Sequence, residues 1–310
     1  MEPWKQAELA YEESIAERYD FHYYGSPIPK AHLKSFCKFV QRYARRSDLV
    51  LDLGGGTGAV TEQLLAKGYR WVVTADLSLG MLLEAKKKIP TFNAIVCDGE
   101  HLPFKDGVMP TIVCSSVLHH IPFVERVLGE MKRVLALYGV LVVQEPNQDQ
   151  FMARPEAFHL SSLSTAIMHY LYRIERYRPV PEPPIHEYHR AFSRQELLAL
   201  FLSQYFILEF RAQFTFSNLF SKLRSPVVSR MILMLDRFMY GLEGSVFHVA
   251  CSKSDWGHRN ILKDYFRYVG LLRSNPRQQA SWLFVVGLFP LVVLGRLYEL
   301  YERVRAKLQE

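Results

Sequence analysis

Three short clusters in this 310-residue chain hold residues whose types and spacing can do chemistry. The first is Val50-Leu-Asp52-Leu-Gly54-Gly55-Gly56-Thr57-Gly58-Ala59, an apolar run that ends in glycines and leads straight into a helical pattern. Glycine permits positive φ and lacks the Cβ that would hold a ligand away from the backbone. Three adjacent glycines cost conformational entropy that a tight turn alone does not require, so the loop reads as a ligand-binding turn. The second cluster is acidic: Asp76 closes the next apolar run, and Asp98, Gly99 and Glu100 close the one after. The third is His119-His120, behind a fourth apolar run. Imidazole titrates near neutrality, which suits proton transfer.

Gly54-x-Gly56-x-x-Ala59 satisfies the dinucleotide fingerprint, and Asp76 stands where an acid would hold ribose hydroxyls. Electrostatics separates the ligands. Asp52 lies two residues before Gly54, where a carboxylate repels a pyrophosphate on the following helix N-terminus. It suits a ligand without phosphate and with a cationic tail. S-adenosyl-L-methionine is such a ligand, with an ammonium, a sulfonium and a ribose diol. A nicotinamide-dependent oxidoreductase is the alternative, disfavoured by Asp52.

The elements that must position these residues alternate. Apolar runs at 49–53, 71–76, 93–98, 111–116, 140–145, 206–213 and 246–252 read as strands, and helical patterns at 59–67, 79–88 and 124–135 separate the early ones. Such alternation predicts right-handed βαβ crossovers. The expected fold is α/β: a doubly wound, mostly parallel, seven-stranded Rossmann-like sheet with a helical cap insertion and a C-terminal helical appendage. Residues 1–47 read as an N-terminal helical cap, two helices around Gly25-Ser26-Pro27. The core spans 48–253, with 147–190 inserted as a substrate cap centred on a helix at 160–177, and 254–310 are the appendage. Ser193-Arg-Gln-Glu196 is a capping box opening a helix to Leu202. Residues 219–239, between the last two strands, carry apolar positions frequent enough to suggest burial on more than one side.

In this order the motifs resemble the class I S-adenosylmethionine-dependent methyltransferases, and most closely the small-molecule group that includes quinone-biosynthesis enzymes. The likeness covers roughly residues 48–146. It rests on Asp52-Leu-Gly54-Gly-Gly56-Thr-Gly58, Ala75-Asp76-Leu77-Ser78-x-x-Met81, Cys97-Asp98-Gly99-Glu100-x-Leu102-Pro103-Phe104 and Ser116-Val-Leu-His119-His120-Ile121. The resemblance implies that Gly54 and Gly56 admit the methionine portion, with Asp52 near its ammonium. It implies that Asp76 accepts from both ribose hydroxyls, and that Asp98 takes the adenine amine with Gly99 and Glu100 beside it. Leu77 and Met81 would sandwich the ring, Met81 alternatively being plain core. Tyr19 belongs to an N-terminal segment that in this family folds over the cofactor, and aromatic cover of a core edge is the other reading of it. Ser116 ends the fourth strand beside the ligand. Two turns depart from the family pattern: Val108-Met109-Pro110-Thr111 lacks its usual Asp, and Leu137-Tyr138-Gly139 replaces Pro-Gly-Gly.

Methyl transfer is an in-line displacement, so alignment supplies much of the rate and a base is needed only when the acceptor must lose a proton. His120 is the favoured base and His119 its neighbour in the same role, against the reading of one histidine as loop packing. Glu145 could orient an acceptor or cap its loop. His186 and His189 lack the companions of a metal site, and no metal is expected.

Composition bounds the rest. Apolar residues are 49% and charged residues 22%, which excludes wholesale disorder. Four cysteines without CxxC spacing, and a start at Met1-Glu2-Pro3-Trp4 without a basic-apolar leader, point to a cytoplasmic chain. The net charge is +7, of which +4 lies between Ser254 and Glu310. There it flanks residues 280–295, which carry no charge and as a helix would be roughly 24 Å long, short of a ~30 Å bilayer core. Peripheral or re-entrant membrane contact through 280–308 is expected, a buried hairpin being the soluble alternative. The core has no concentrated basic face, so nucleic acid is not expected. The expected acceptor is a small, apolar or lipid-linked molecule. A homo-oligomer and a catalytically silent, partner-binding module stay open.

Overall fold

Prolines open both N-terminal helices, where the missing N–H is one the helix could not have used. In the computed structural model α1 spans Pro3–Tyr24 and α2 spans Pro27–Val40, with Gly25-Ser26 between them. The model describes residues 1–150, 190–215, 217–238 and 244–253, together with 162, 165, 166, 168, 169, 171 and 172. All of these belong to the unit Met1–Ser254. Helix α2 buries Ile28, Phe36, Cys37, Phe39 and Val40, and its apolar side joins Val50, Val72, Val113 and Val142 in a core cluster.

The strands are β1 (Leu49–Leu53), β2 (Trp71–Asp76), β3 (Asn93–Val96), β4 (Met109–Ser115), β5 (Leu135–Pro146), β6 (Phe206–Gln213) and β7 (Val246–Ser252). Helices α3 (Ala59–Ala66), α4 (Leu79–Lys88) and α5 (Val124–Val134) make the crossovers, and α6 (Arg194–Leu202) precedes β6. The seven-stranded sheet runs β3-β2-β1-β4-β5-β7-β6. Its first five strands are parallel, and β7 enters antiparallel between β5 and β6. Because β1 sits between β2 and β4, the chain reverses direction of winding there. Asp52 faces Thr74 on one side and Val113 on the other. Open α/β sheets bind ligands at the carboxyl ends of strands at such a switch point.

Three expectations on element bounds are corrected. Strand β4 begins at Met109 and β5 at Leu135, because Met109 pairs with Leu135 before the register jumps to Thr111 with Val140. Exposed Tyr138, at φ 62°, makes the intervening left-handed turn that the family gives to glycine. Strand β3 stops at Val96, two residues early. Nor is the apolar stretch after β6 buried on more than one side: a 3₁₀ turn over Ser217–Phe220 gives way to helix α7, Pro226–Phe238, since Pro226 cannot donate into a preceding helix, and Val227, Met231, Met234 and Leu235 of α7 are exposed.

Cys37, Cys97, Cys114 and Cys251 are free thiols. Most of the insertion, the pair His186 and His189, and the appendage with its 280–308 stretch lie outside the described residues. Among the described residues no helix is long and apolar enough to cross a membrane.

Candidate active site

The glycine turn is held from behind. Gly54 and Gly55 donate to the Ala75 carbonyl at 2.7 and 3.3 Å. Gly54, Gly56 and Gly58 take φ of 66°, 52° and 77°, which other residues adopt only under strain. A Cβ on Gly54 would strike the Val117 side chain at 2.3 Å, whereas one on Gly56 would meet nothing within 4 Å. Gly56 is therefore the place where bare backbone faces the cavity. The Asp76 carboxylate, at the end of β2, accepts from Gly56 N at 2.8 Å and from Ser78 N at 2.9 Å. Burial pushes its pKa up and those amides oppose the rise. Asp52 is buried, and its Oδ2 accepts from Thr61 N and Thr61 Oγ1 at 3.1 and 2.6 Å. Burial lifts it to about 6 against the Thr61 hydrogen bonds.

These groups line a cavity of about 140 Å³ that also includes Leu77, Asp98, Gly99 and Ser116. Helix α1 closes it. Lys5 is buried, with Nζ 2.6 Å from both Asp98 Oδ2 and Glu100 Oε2. Burial disfavours its charge, but the two carboxylates outweigh that and hold its pKa above the ordinary value. Glu100 Oε1 is buried with no hydrogen-bond partner. On the same side of α1, Glu12 lies near Glu8 and Asp76. Burial first, and those two carboxylates next, raise it to about 9, so it is protonated at neutral pH.

A second cavity of about 390 Å³ adjoins the first, and both are lined by Glu12, Tyr19, Tyr24, Ser116 and His120. Its wall is aromatic, from Tyr11, Tyr23, His32 and His119, with Lys222 as its permanent cation among the lining residues. Ser116 makes the bend between the cavities in the left-handed region, at φ 59°. The buried His119 places Nδ1 2.7 Å from Glu145 Oε2, while Glu145 Oε1 accepts from the backbone N–H of Val117 and Leu118. Burial lowers the His119 pKa and Glu145 opposes that, so the ring is neutral near pH 7. His120 turns the other way and pairs Nδ1 with Glu8 Oε1 at 2.9 Å.

Asp52, Gly54, Gly56, Asp76, Leu77, Asp98, Gly99, Ser116, Tyr19 and His120 thus converge on one cavity, with His119 on its neighbour. Three expected ligand residues do not line the cavity. Met81 is fully buried, with its N–H on Ser78 Oγ, which is the plain-core reading. Gly58 packs α3 on α4: a Cβ there would meet Ile89 and Ala85 at 2.9 and 3.1 Å. Glu100 touches the site through Lys5 and through its backbone N–H on Asp98 Oδ1 at 2.9 Å. Lys5, Glu8 and Glu12 are additions from the structure. Their spacing, with Trp4 and Tyr19, repeats as one face of a helix, a signal the sequence does carry.

Residues 51–143 match the family model described as a methyltransferase domain. The demethylmenaquinone methyltransferase of Streptomyces griseus subsp. griseus is 34% identical over 154 residues, covering 46% of this chain and 65% of its own. That of Mycolicibacterium gilvum is 39% identical over 100 residues, covering 32% and 42%. The chain therefore spans less than two thirds of these relatives' length. Among solved structures, a SAM-dependent methyltransferase of Thermotoga maritima superposes with a TM-score of 0.52 at 16% identity, over 79% of this chain and 99% of that one. The [4+2]-cyclase SpnF does so with a TM-score of 0.54 at 14% identity, over 81% and 96%. At such identities the likeness fixes the fold, and one fold serves several chemistries. Residues 51–143, on a sheet of this order with its glycine turn after β1, are thus similar in sequence to a methyltransferase domain, and the fold is the one those solved structures share.

Proposed function

We propose that the protein transfers a methyl group from S-adenosyl-L-methionine to a small, apolar or lipid-linked acceptor. The observation that carries this reading is the charge of the first cavity. Its lining holds the carboxyl groups of Glu8, Asp52, Asp76 and Asp98, with the neutral Glu12 beside them, against a single lysine already paired to two acids. Such a lining rejects a pyrophosphate and favours a cation. The residues fit the cofactor: Gly56 leaves open space beside its backbone, Asp76 offers a positioned acceptor pair, and Asp98 offers an acceptor for an amine.

Bound there, the cofactor supplies an activated methyl on a sulfonium and leaves as a neutral thioether. The protein aligns and deprotonates. Tyr19, Tyr24, Ser116 and His120, common to both cavities, would frame the line between methyl and acceptor. Where the acceptor is a hydroxyl, Nε2 of His119 would take its proton, while the cofactor held by Gly56, Asp76 and Asp98 would supply the methyl and keep the C–S electron pair on its sulfur. Glu145 fixes the required tautomer by accepting from Nδ1–H. His120, tied to Glu8 on α1, positions the acceptor. The aromatic wall of the second cavity suits a flat, apolar ring. The relatives named demethylmenaquinone methyltransferase support a lipid-linked acceptor of that kind. A cytoplasmic core with membrane contact through 280–308 would bring such an acceptor within reach.

Calorimetry of the full chain tests the reading. S-adenosylhomocysteine should bind and NAD should not compete. NAD binding without any signal from the adenosyl ligands would overturn it.

A further inference from the structure

Helix α7 is built inside out. On its inner side sit Ser229, Ile232 and Asp236, all buried, while Val227, Met231, Met234 and Leu235 are 53–69% exposed. At 100° per residue those four fall on one continuous face, the i, i+4, i+7, i+8 pattern that ordinarily points into a core. The arrangement is not a slipped register, because the inner carboxylate is hydrogen-bonded and the inner Ile232 is packed. Asp236 accepts from Ser217 Oγ at 2.6 Å, Ser217 bonds His32 Nε2 at 3.0 Å, and His32 lines the acceptor cavity. Ile232 packs with Ile28, Phe220 and Leu223. The outer face is therefore fixed outward and apolar.

Charge selects what covers it. From Phe214 to Leu235 every charged residue is a cation: Lys222, Arg224 and Arg230. Arg230 is exposed at the edge of the apolar face, and Arg224 lies over the ring of exposed Phe21, 5.7 Å from its centroid. A second copy seated face to face would bring two such cationic rims together with no acid in the segment to neutralise them. An anionic lipid surface neutralises the rim and buries the apolar side chains in one contact.

We propose that α7 is a membrane-docking element that seats Val227, Met231, Met234 and Leu235 in the interfacial layer of an anionic bilayer. Phe21 and Arg224 adjoin His22 and Lys222, which line the acceptor cavity, so a lipid-linked acceptor would leave the bilayer beside its binding site. Only that last step rests on the function proposed above. The variants below change α7 alone and leave 280–308 untouched.

The test is flotation of the full chain with phosphatidylcholine vesicles with and without phosphatidylglycerol. Binding should require the anionic lipid. The double variant Met231→Glu, Met234→Glu should lose about tenfold in vesicle affinity, and Arg230→Glu should lose less and become less sensitive to salt. S-adenosylhomocysteine affinity, measured on the same samples, should stay at the wild-type value in both variants. Its absence in all samples would count against the methyltransferase reading alone. Flotation of the double variant equal to wild type would overturn the docking proposal. So would a wild-type dimer, seen by light scattering, that the same substitutions dissolve.

Discussion

His119 Nδ1 stands 2.7 Å from Glu145 Oε2, across the carboxyl ends of two neighbouring parallel strands. Glu145 is fully buried and is held in place by two backbone amides as well as the imidazole. A carboxylate so fixed sets both the tautomer and the orientation of the ring, which a proton-accepting histidine needs.

His119→Ala should lower kcat by roughly 10²–10⁴-fold with S-adenosylhomocysteine affinity unchanged. Glu145→Gln should lower kcat less and shift the acidic limb of the kcat profile, since the amide can still orient the ring but cannot stabilise its cation. His120→Ala should act mainly through KM. A kcat loss confined to His120→Ala would move the base to that residue. Steady-state kinetics over pH 5–9 separates the two assignments.

Asp76 accepts from Gly56 N and Ser78 N, so its carboxylate is oriented before any ligand arrives. Asp76→Ala should weaken S-adenosylhomocysteine binding by about 1–3 kcal/mol, the range for lost hydrogen bonds to a charged group. Met81→Leu should leave that affinity unchanged, because Met81 does not line the cavity. Calorimetry on the two variants distinguishes a ligand contact from a core residue.

Much of this site could be read from sequence because strand ends and glycine turns are local. The period of the apolar runs places Asp52, Asp76 and Asp98 at strand ends, and the sheet order then brings them to one edge. What α1 contributes is not local. Lys5, Glu8 and Glu12 have the composition of a solvated face, and only docking of the helix against α4 and the glycine turn turns them inward. Glu145 and His119 are 26 residues apart, and they meet because Ser115 pairs with Gln144. Met81 lies off the cavity for the opposite reason: it follows Leu77 closely in sequence, but on α4 it sits on the side packed into the core.

The Lys5 bridge carries a prediction of its own. Its partners on the core are Asp98 and Glu100, and Glu100 is almost wholly buried. Lys5→Met would leave that carboxylate with only the more distant Arg126, 3.6 Å away, and breaking a buried pair costs about 3 kcal/mol. Urea unfolding should show a loss of this size, and Lys5→Met combined with Glu100→Gln should recover part of it. Because Lys5 holds the acid assigned to the adenine amine, Lys5→Met should also alter S-adenosylhomocysteine affinity, whereas Glu2→Gln, on the exposed rim, should not. Strictly additive effects in the double variant would mean that the pair contributes no coupling.

Glu12 gives the pH dependence its sign. Burial, then the charges of Glu8 and Asp76, raise its folded pKa to about 9 from the ordinary 4.5. Between those values the folded chain keeps a proton that the unfolded chain releases, so stability declines as pH rises through that window and levels off above about 9. Glu12→Gln carries no titrating proton and should remove that share of the slope. At pH 8.5 the variant should melt several degrees above wild type, since about 1 kcal/mol moves Tm by roughly 2–4 °C in a domain of this size. At pH 5, only half a unit above the ordinary 4.5, the unfolded chain keeps part of that proton, and the gap should be much smaller than at pH 8.5. Thermal melts at pH 5, 7 and 8.5 decide the matter. Parallel curves would show that Glu12 is ionised in the fold and that a cation in the cavity already balances it.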